Sequence, residues 1–344
     1  MNASFHKYTL NFKRPGGTSR GVLTHKETWF IVLESHGKQG VGECGLLKGL
    51  SIDDRPDYEL KLQWVCENIH LGQKALCNAL VAFPSIRFGV EMAFMSLASK
   101  ETYVLFPSEF TSGSASISIN GLIWMGDTSF MQQQIIEKMS EGFNCLKLKI
   151  GAIDFNSELR ILKQIRQNPN TENIQIRVDA NGAFSLQEAS YKLSQLSEYK
   201  IHSIEQPIAV NQHDMMSVLC KTAQIPIALD EELIGIIGTD NKEALLQTIM
   251  PQYIILKPSL LGGFAQTDEW IALAEKYGIG WWITSALESN IGLNAIAQYT
   301  FLKQNLLHQG LGTGSLYTNN FESPLEVDCG ALWYRPENKW LVDL

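Results

Sequence analysis

The chain predicts an α/β protein: a (β/α) barrel of TIM type, its ends open to modification, behind an N-terminal α+β capping domain. Three observations carry this expectation. Five apolar runs each end on charge: CLKLKIG with Lys147 and Lys149, IRVDAN with Asp179, SIEQP with Glu205, ALDEE with Asp230, and ILKP with Lys257. From Lys149 through Asp179, Glu205 and Asp230 to Lys257 the steps are 30, 26, 25 and 27 residues, the length of one strand, one helix and two loops. An acid or lysine at the carboxyl end of successive strands is how a parallel barrel gathers reactive groups on one face. Finally, the texture changes near residue 110, from broken alternation to a regular strand–helix rhythm.

Residues 1–110 make the capping domain. HKYTLNF, GVLTHKETWFIVLES and KQGVGECG alternate apolar with polar residues and read as antiparallel strands, with a turn about Gly37. Segments 56–70 and 86–99 repeat apolar residues at three and four, so both read as helices. The Gly16-Gly17 turn with Thr18, Ser19 and Arg20 is a candidate lid over the substrate, an ordinary hairpin loop being the alternative.

The barrel spans 111–319. Its strand candidates are 115–124, 145–151, 174–180, 201–206, 226–230, 253–257, 278–285 and 308–313, short and nearly continuous in apolar residues, as in strands covered on both faces. Helical patterns between them include 127–141, 157–167, 185–197, 240–249, 263–276 and 291–304. Ser185 and Asp240 stand where N-caps belong, and Pro226 opens a strand. Ser and Asn interrupt the first strand. The tail, 320–344, holds strand-like ALWYR and KWLVDL and is expected to pack back on the capping domain.

Composition bounds the function. At 344 residues the chain has room for one barrel of roughly 200 to 250 residues plus a smaller domain. A net charge of −8 without a lysine/arginine cluster argues against nucleic acid. Six cysteines scattered without a C-x-x-C pair suit reduced thiols in a cytoplasmic protein better than disulfides or a zinc site. The N-terminal segment lacks the apolar run of a secretion signal, and no apolar stretch reaches about twenty residues, so no membrane partner is expected. A homo-oligomer remains open.

Asp179, Glu205 and Asp230 end three consecutive strands and should converge. Three hard oxygen donors without His or Cys suit a hard cation, Mg²⁺ above all, with Mn²⁺ able to substitute. Any one of them alone reads as a cap or loop carboxylate; three in register favour a metal. Lys147 and Lys149 are two apart on one strand and share a face. With apolar neighbours that face should be the interior, though an exposed strand with Leu146, Leu148 and Ile150 turned inward is the alternative. Two buried ammonium groups need anions, which the carboxylates supply. Crowding by ammonium neighbours lowers a lysine's pKa, so a near-neutral Lys149 could act as general base. Lys257 lies across the barrel. A carboxylic acid bound between would present its α-carbon to both lysines, a geometry for proton abstraction α to a carboxylate.

K-x-K, D-A-N, E-Q-P, L-D-E and L-K-P in this order resemble the enolase superfamily, and within it the muconate-lactonising-enzyme subgroup. The motifs cover about 145–258 directly. The resemblance implies Lys149 and Lys257 as acid/base lysines on opposite faces, Lys147 as electrostatic support, and Asp179, Glu205 and Asp230 as Mg²⁺ ligands. No His-Asp dyad marks the late strand ends, which disfavours the mandelate-racemase subgroup. TSALESNIG, GECG and TSRGVL look like the subgroup's dehydratases of menaquinone biosynthesis, which eliminate water from a cyclohexadiene β-hydroxy acid. The substrate would be a small carboxylic acid. Ser285 and Glu288 are candidate pocket residues, Gly312 and Gly314 could bring backbone N–H groups to a carboxylate, and Arg20 could reach in from the lid. Ser285 also reads as a cap and the glycines as a turn. N-acylamino-acid racemases and dipeptide epimerases use the same lysines. The epimerases' D-x-D motif is missing from GTGSLYTNN, so they are disfavoured. A catalytically silent barrel acting as a binding protein is the remaining alternative.

Overall fold

A computed structural model describes residues 1–344 apart from Ser19, Arg20, Ala152 and Asn170. Three long antiparallel strands open the chain: β1 (Asn2–Thr18), β2 (Gly21–Ser35) and β3 (Lys38–Cys44), in the order β1-β2-β3. The β2–β3 turn is at His36 and Gly37, both at positive φ, as the sequence predicts. The 56–70 pattern resolves into α1 (Tyr58–Glu67) and a short 3₁₀ turn at Ile69–Leu71. A further helix, α2 (Gly72–Ala79), escaped the periodicity, and α3 (Pro84–Ala98) matches it. α3 lies flat on β3 because Gly42 has no side chain. A Cβ there would stand 1.9 Å from the Gly89 carbonyl oxygen, so any other residue would lift the helix.

The barrel strands are β5 (Gly121–Ile123), β6 (Cys145–Lys149), β7 (Gln175–Asp179), β8 (Ser203–Glu205), β9 (Ile227–Leu229), β10 (Tyr253–Leu256) and β11 (Gly280–Ile283), preceded by β4 (Ile117–Ser118). β5 to β11 form one parallel sheet in sequence order. The helices are α4 (Thr128–Ser140), α5 (Phe155–Gln167), α6 (Leu186–Ser197), α7 (His213–Thr222), α8 (Thr239–Ile249), α9 (Pro258–Leu261), α10 (Phe264–Lys276) and α11 (Asn290–Leu302).

Closure differs from expectation. The predicted eighth strand, 308–313, reduces to two bridges, Ile119 with Gln309 and Thr284 with Gly310. The Gln309 side chain takes over part of the ladder by accepting from Ile283 N at 2.8 Å. The predicted first strand, 115–124, splits: β5 pairs with β6, while β4 pairs with a late strand near the C-terminus, Ala331–Tyr334. Counting 309–310 as the eighth position, β6 and β10 stand four apart in eight, on opposite sides.

One smaller expectation needs correction. Asp240 is not the N-cap of α8; the helix starts at Thr239 after Gly238, whose φ of 86° turns the chain in. Asp240 sits in the first turn, where its charge suits the helix dipole. In the tail, Phe321 does touch Tyr8 and Phe30 of the cap sheet. The hairpin β12 (Leu325–Asp328) and β13 (Ala331–Tyr334) pairs with β4, at the entry to the barrel, while Tyr334 and Trp340 pack on Phe110 and Tyr103.

One core runs from the cap residues Phe30, Val41, Phe88 and Met92 into the barrel, so cap and barrel share apolar packing. Polar ties reinforce it. The Glu91 carboxylate on α3 accepts from Phe264 N at 2.6 Å, capping the barrel helix α10. Among the described residues no helix is long and apolar enough to cross a membrane.

Candidate active site

Strand register builds the site. Lys149 stands opposite Asp179, and Asp179 opposite Glu205, across three neighbouring strands. Asp230 follows β9 directly and Lys257 follows β10. Leu146, Leu148 and Ile150 turn outward into the core beneath the helices, leaving Lys147 and Lys149 to the interior. The five strand-end phrases therefore meet in one layer.

There the lysines hold the acids. Lys147 Nζ lies 2.9 Å from Asp179 Oδ2 and also pairs with Glu205. Lys149 Nζ donates to Asp179 Oδ2 and to Asn181 Oδ1, both at 2.8 Å. Lys257 pairs with Asp230. Burial alone would lower Lys147, but Asp179 and Glu205 outweigh it and raise its pKa. Lys257 is likewise raised against its burial, by Asp230 and Glu205. Asp179 is held below its usual range despite burial, by Lys147 and Lys149. Glu205 goes the other way: burial and the neighbouring Asp179 and Asp230 push it well up.

Among the described residues no three His, Cys, Asp or Glu side chains form a ready-made cage, because the ammonium groups sit between the carboxylates. The residues nonetheless fit a hard dication. All three donors are carboxylates, Glu205 Oε1 is buried with no hydrogen-bond partner among the described residues, and the raised Glu205 marks a layer short of positive charge.

Several supporting residues were missed in the sequence. Asn181 takes φ of 44°, bonds Lys149, and donates Nδ2 to Glu231 Oε1 at 2.9 Å. Gln206, at φ of 40°, donates to Glu232 Oε2 at 3.0 Å and accepts from Asp230 N at 3.4 Å. Their signal was present as the third letter of D-A-N and the middle letter of E-Q-P. Both fix the chain just past a strand end. Beneath the layer lies Arg177, buried, on the same face of β7 as Asp179. Its guanidinium stacks 4.0 Å from the Trp282 ring centroid and donates to His308 O at 2.8 Å.

Lys147, Lys149, Asn181 and Lys257 line a cavity of about 640 Å³ between barrel and cap. Ser285 and Gly312 also line it, as expected, and the Ser285 hydroxyl is 2.7 Å from that of Thr313. Two expectations fail. Glu288 is fully buried and does not line the cavity; its carboxylate accepts from Ser259 Oγ at 2.5 Å and Ala286 N at 2.7 Å. Leu287, at φ of 65°, reverses the chain just before it and turns that side chain away. Gly314 packs against Asn290 instead of the cavity, with room for no Cβ: one would stand 2.5 Å from Asn290 Oδ1. Arg20, and Ser19 of the lid candidate, lie outside the described residues; Lys13, Arg14 and Val22 flanking them line the cavity.

A family model described as "Enolase C-terminal domain-like" matches residues 131–337, and the chain belongs to the enolase superfamily. It is an enzyme of that superfamily. The o-succinylbenzoate synthase of Desulfotalea psychrophila is 47% identical over 363 aligned residues, 96% of this chain and 98% of that protein. The crystal structure of MenC from the same organism aligns with a TM-score of 0.86 at 44% identity, over 97% of this chain and 99% of that one. The N-succinylamino acid racemase of Thermus thermophilus is 27% identical over 290 residues, 80% of this chain and 75% of that protein.

Proposed function

We propose that the chain is a Mg²⁺-dependent carbon–oxygen lyase acting as an o-succinylbenzoate synthase of menaquinone biosynthesis, in the cytoplasm. The observation that carries this reading is the pair Lys149 and Lys257, four barrel positions apart across the acidic trio, both facing one cavity. The likeness to the Desulfotalea psychrophila o-succinylbenzoate synthase over nearly the whole chain supports the choice of substrate.

Lys149 Nζ takes the proton from the carbon α to the substrate carboxylate. The ammonium so formed returns that proton to the β-hydroxyl, the C–O bond breaks, and a double bond and water result. Atoms and charge balance without any further reactant. Lys257 holds a fixed ammonium on the opposite face, where negative charge grows. Lys147, buried between Asp179 and Glu205, keeps those carboxylates in register. Bound at Asp179, Glu205 and Asp230, Mg²⁺, or Mn²⁺ in its place, would supply Lewis-acid stabilisation to the carboxylate as it gains its second negative charge. Leu23, Leu47, Leu50 and Trp124 give the cavity apolar walls suited to a cyclohexadiene ring, and its volume is that of an ordinary small-molecule site.

A second reading is N-acylamino-acid racemisation, in which Lys257 would return the proton to the opposite face. The match to the Thermus thermophilus racemase favours keeping it. Assays of cyclohexadiene dehydration and N-succinylamino-acid racemisation on one preparation separate the two. Dehydration with the larger kcat/KM supports the lyase; racemisation alone overturns it.

A further inference from the structure

The cap meets the barrel through a buried charged cluster that the proposed chemistry leaves without a role. Glu43, at the end of β3, accepts from Thr28 Oγ1 at 2.8 Å within the cap. It also accepts from Ser289 N at 2.9 Å, Ser289 Oγ at 2.5 Å and Gly292 N at 2.9 Å at the start of α11. Glu288 lies beside it, fully buried. Gly45 of the cap leaves no space between: a Cβ there would stand 3.0 Å from Glu288 Cγ and 3.1 Å from Ser259 Cβ. Lys26 on β2 completes the cluster. It is 5% exposed, and its Nζ has no hydrogen-bond partner among the described residues. Burial pulls Lys26 below its usual range against the attraction of Glu43 and Glu288.

One bond of Glu288 ends on the cavity wall, at Ala286, and the other on Ser259 just behind the cavity-lining Lys257. Ser259 is two residues past Lys257, in the short helix α9. Ala286 lines the cavity and precedes Leu287, which also lines it. A leucine at positive φ persists only where its surroundings over-determine it, and the bonds to Ala286 N and, from Tyr317, to Leu287 O do so.

We propose that Glu288 is a positioning residue: packed against Gly45 of the cap, it ties the turn that carries Lys257 to the Ala286–Leu287 wall and so sets the distance between that lysine and the bound acid. The inference rests on the proposed function only for the identity of the reaction.

Its test compares Glu288→Ala, Glu288→Gln and Ser259→Ala in the full-length, Mg²⁺-loaded protein. The amide of Glu288→Gln can accept from Ala286 N and donate to Ser259 Oγ, so it keeps the tie; alanine breaks it. Glu288→Ala is expected to lose about 100-fold in kcat, the order a displacement of about 1 Å costs, with KM changed less than kcat and Mg²⁺ affinity kept. Glu288→Gln should restore most of the loss, and Ser259→Ala should fall between. Hydrogen exchange at the Ala286 amide should accelerate in Glu288→Ala and not in Glu288→Gln. This last readout needs no turnover, so a wild-type protein inactive on the cyclohexadiene acid would sink the proposed function and leave the tie measurable. A Glu288→Ala protein that only melts earlier, with kcat and Ala286 exchange at 25 °C unchanged, overturns the inference.

Discussion

Two buried charged layers share one barrel, and they are stabilised differently. In the upper one, three lysines face three carboxylates at the strand ends. In the lower one, Arg177 has no carboxylate in contact; it rests on Trp282 and a backbone carbonyl, and its Nε and Nη2 lack partners among the described residues. Below the upper layer, Ala228, Ile255 and Trp282 form a small apolar plug. A cation on an aromatic face fills space and seals the floor. Alternating cations and anions open to a cavity are arranged for chemistry. The difference teaches where function ends inside the barrel: between Asp179 and Arg177, two residues along β7.

Substitutions should break that contrast from the upper layer first. Lys147→Met leaves Glu205 without its ammonium partner and Asp179 with Lys149 alone, and breaking a buried pair costs about 3–5 kcal/mol. Denaturant unfolding without Mg²⁺ should show that loss. Asp230→Asn removes a charged hard ligand, so calorimetry should find Mg²⁺ affinity at least about tenfold weaker; an unchanged affinity would remove Asp230 from the ligand set. Arg177→Met should do far less. Replacing a buried charge by an apolar group of similar volume is often near neutral, so stability should shift by less than about 2 kcal/mol, with turnover largely kept. A large loss of kcat in Arg177→Met would erase the distinction between the layers.

The smallest effect is electrostatic. Burial, with help from Arg177, pushes His202 down to about 4 from an ordinary value of 6.5. The fold keeps this imidazole neutral while the unfolded chain protonates it. Its contribution to stability is therefore complete above pH 6.5 and is lost as pH falls from there towards 4. Arg177→Met removes the cationic neighbour, so NMR titration should find the His202 pKa higher in the variant.

The upper layer was legible in the sequence because each strand delivers one charged residue at its carboxyl end and the phrases repeat with the β/α unit. Fold class and the meeting of Asp179, Glu205, Asp230 and Lys257 followed from that spacing and the change of texture near residue 110, while K-x-K left the facing of Lys147 and Lys149 to the structure. Barrel closure did not follow, because two isolated bridges, at Gln309 and Gly310, stand where a strand was expected. Arg177 drew no notice in the sequence, because a lone arginine inside an apolar strand carries no signal until the closed barrel shows that its face is the interior. Glu288 was misplaced because nothing in ALES announces that Leu287 adopts a left-handed backbone. The partnership of Glu43 with Ser289 spans 246 residues and belongs to the docking of two domains, which no local pattern encodes.

The measurement that bears most directly on the account is turnover of the cyclohexadiene acid by the Mg²⁺-loaded wild type and by Lys149→Ala, both checked for fold and Mg²⁺ affinity. If Lys149 is the base, the wild type forms the aromatic product and the variant loses at least about 10³-fold in kcat, within the range that general acid–base groups contribute, while its Mg²⁺ affinity stays close to wild type. A variant that keeps a tenth or more of wild-type turnover would show that another group takes the α-proton.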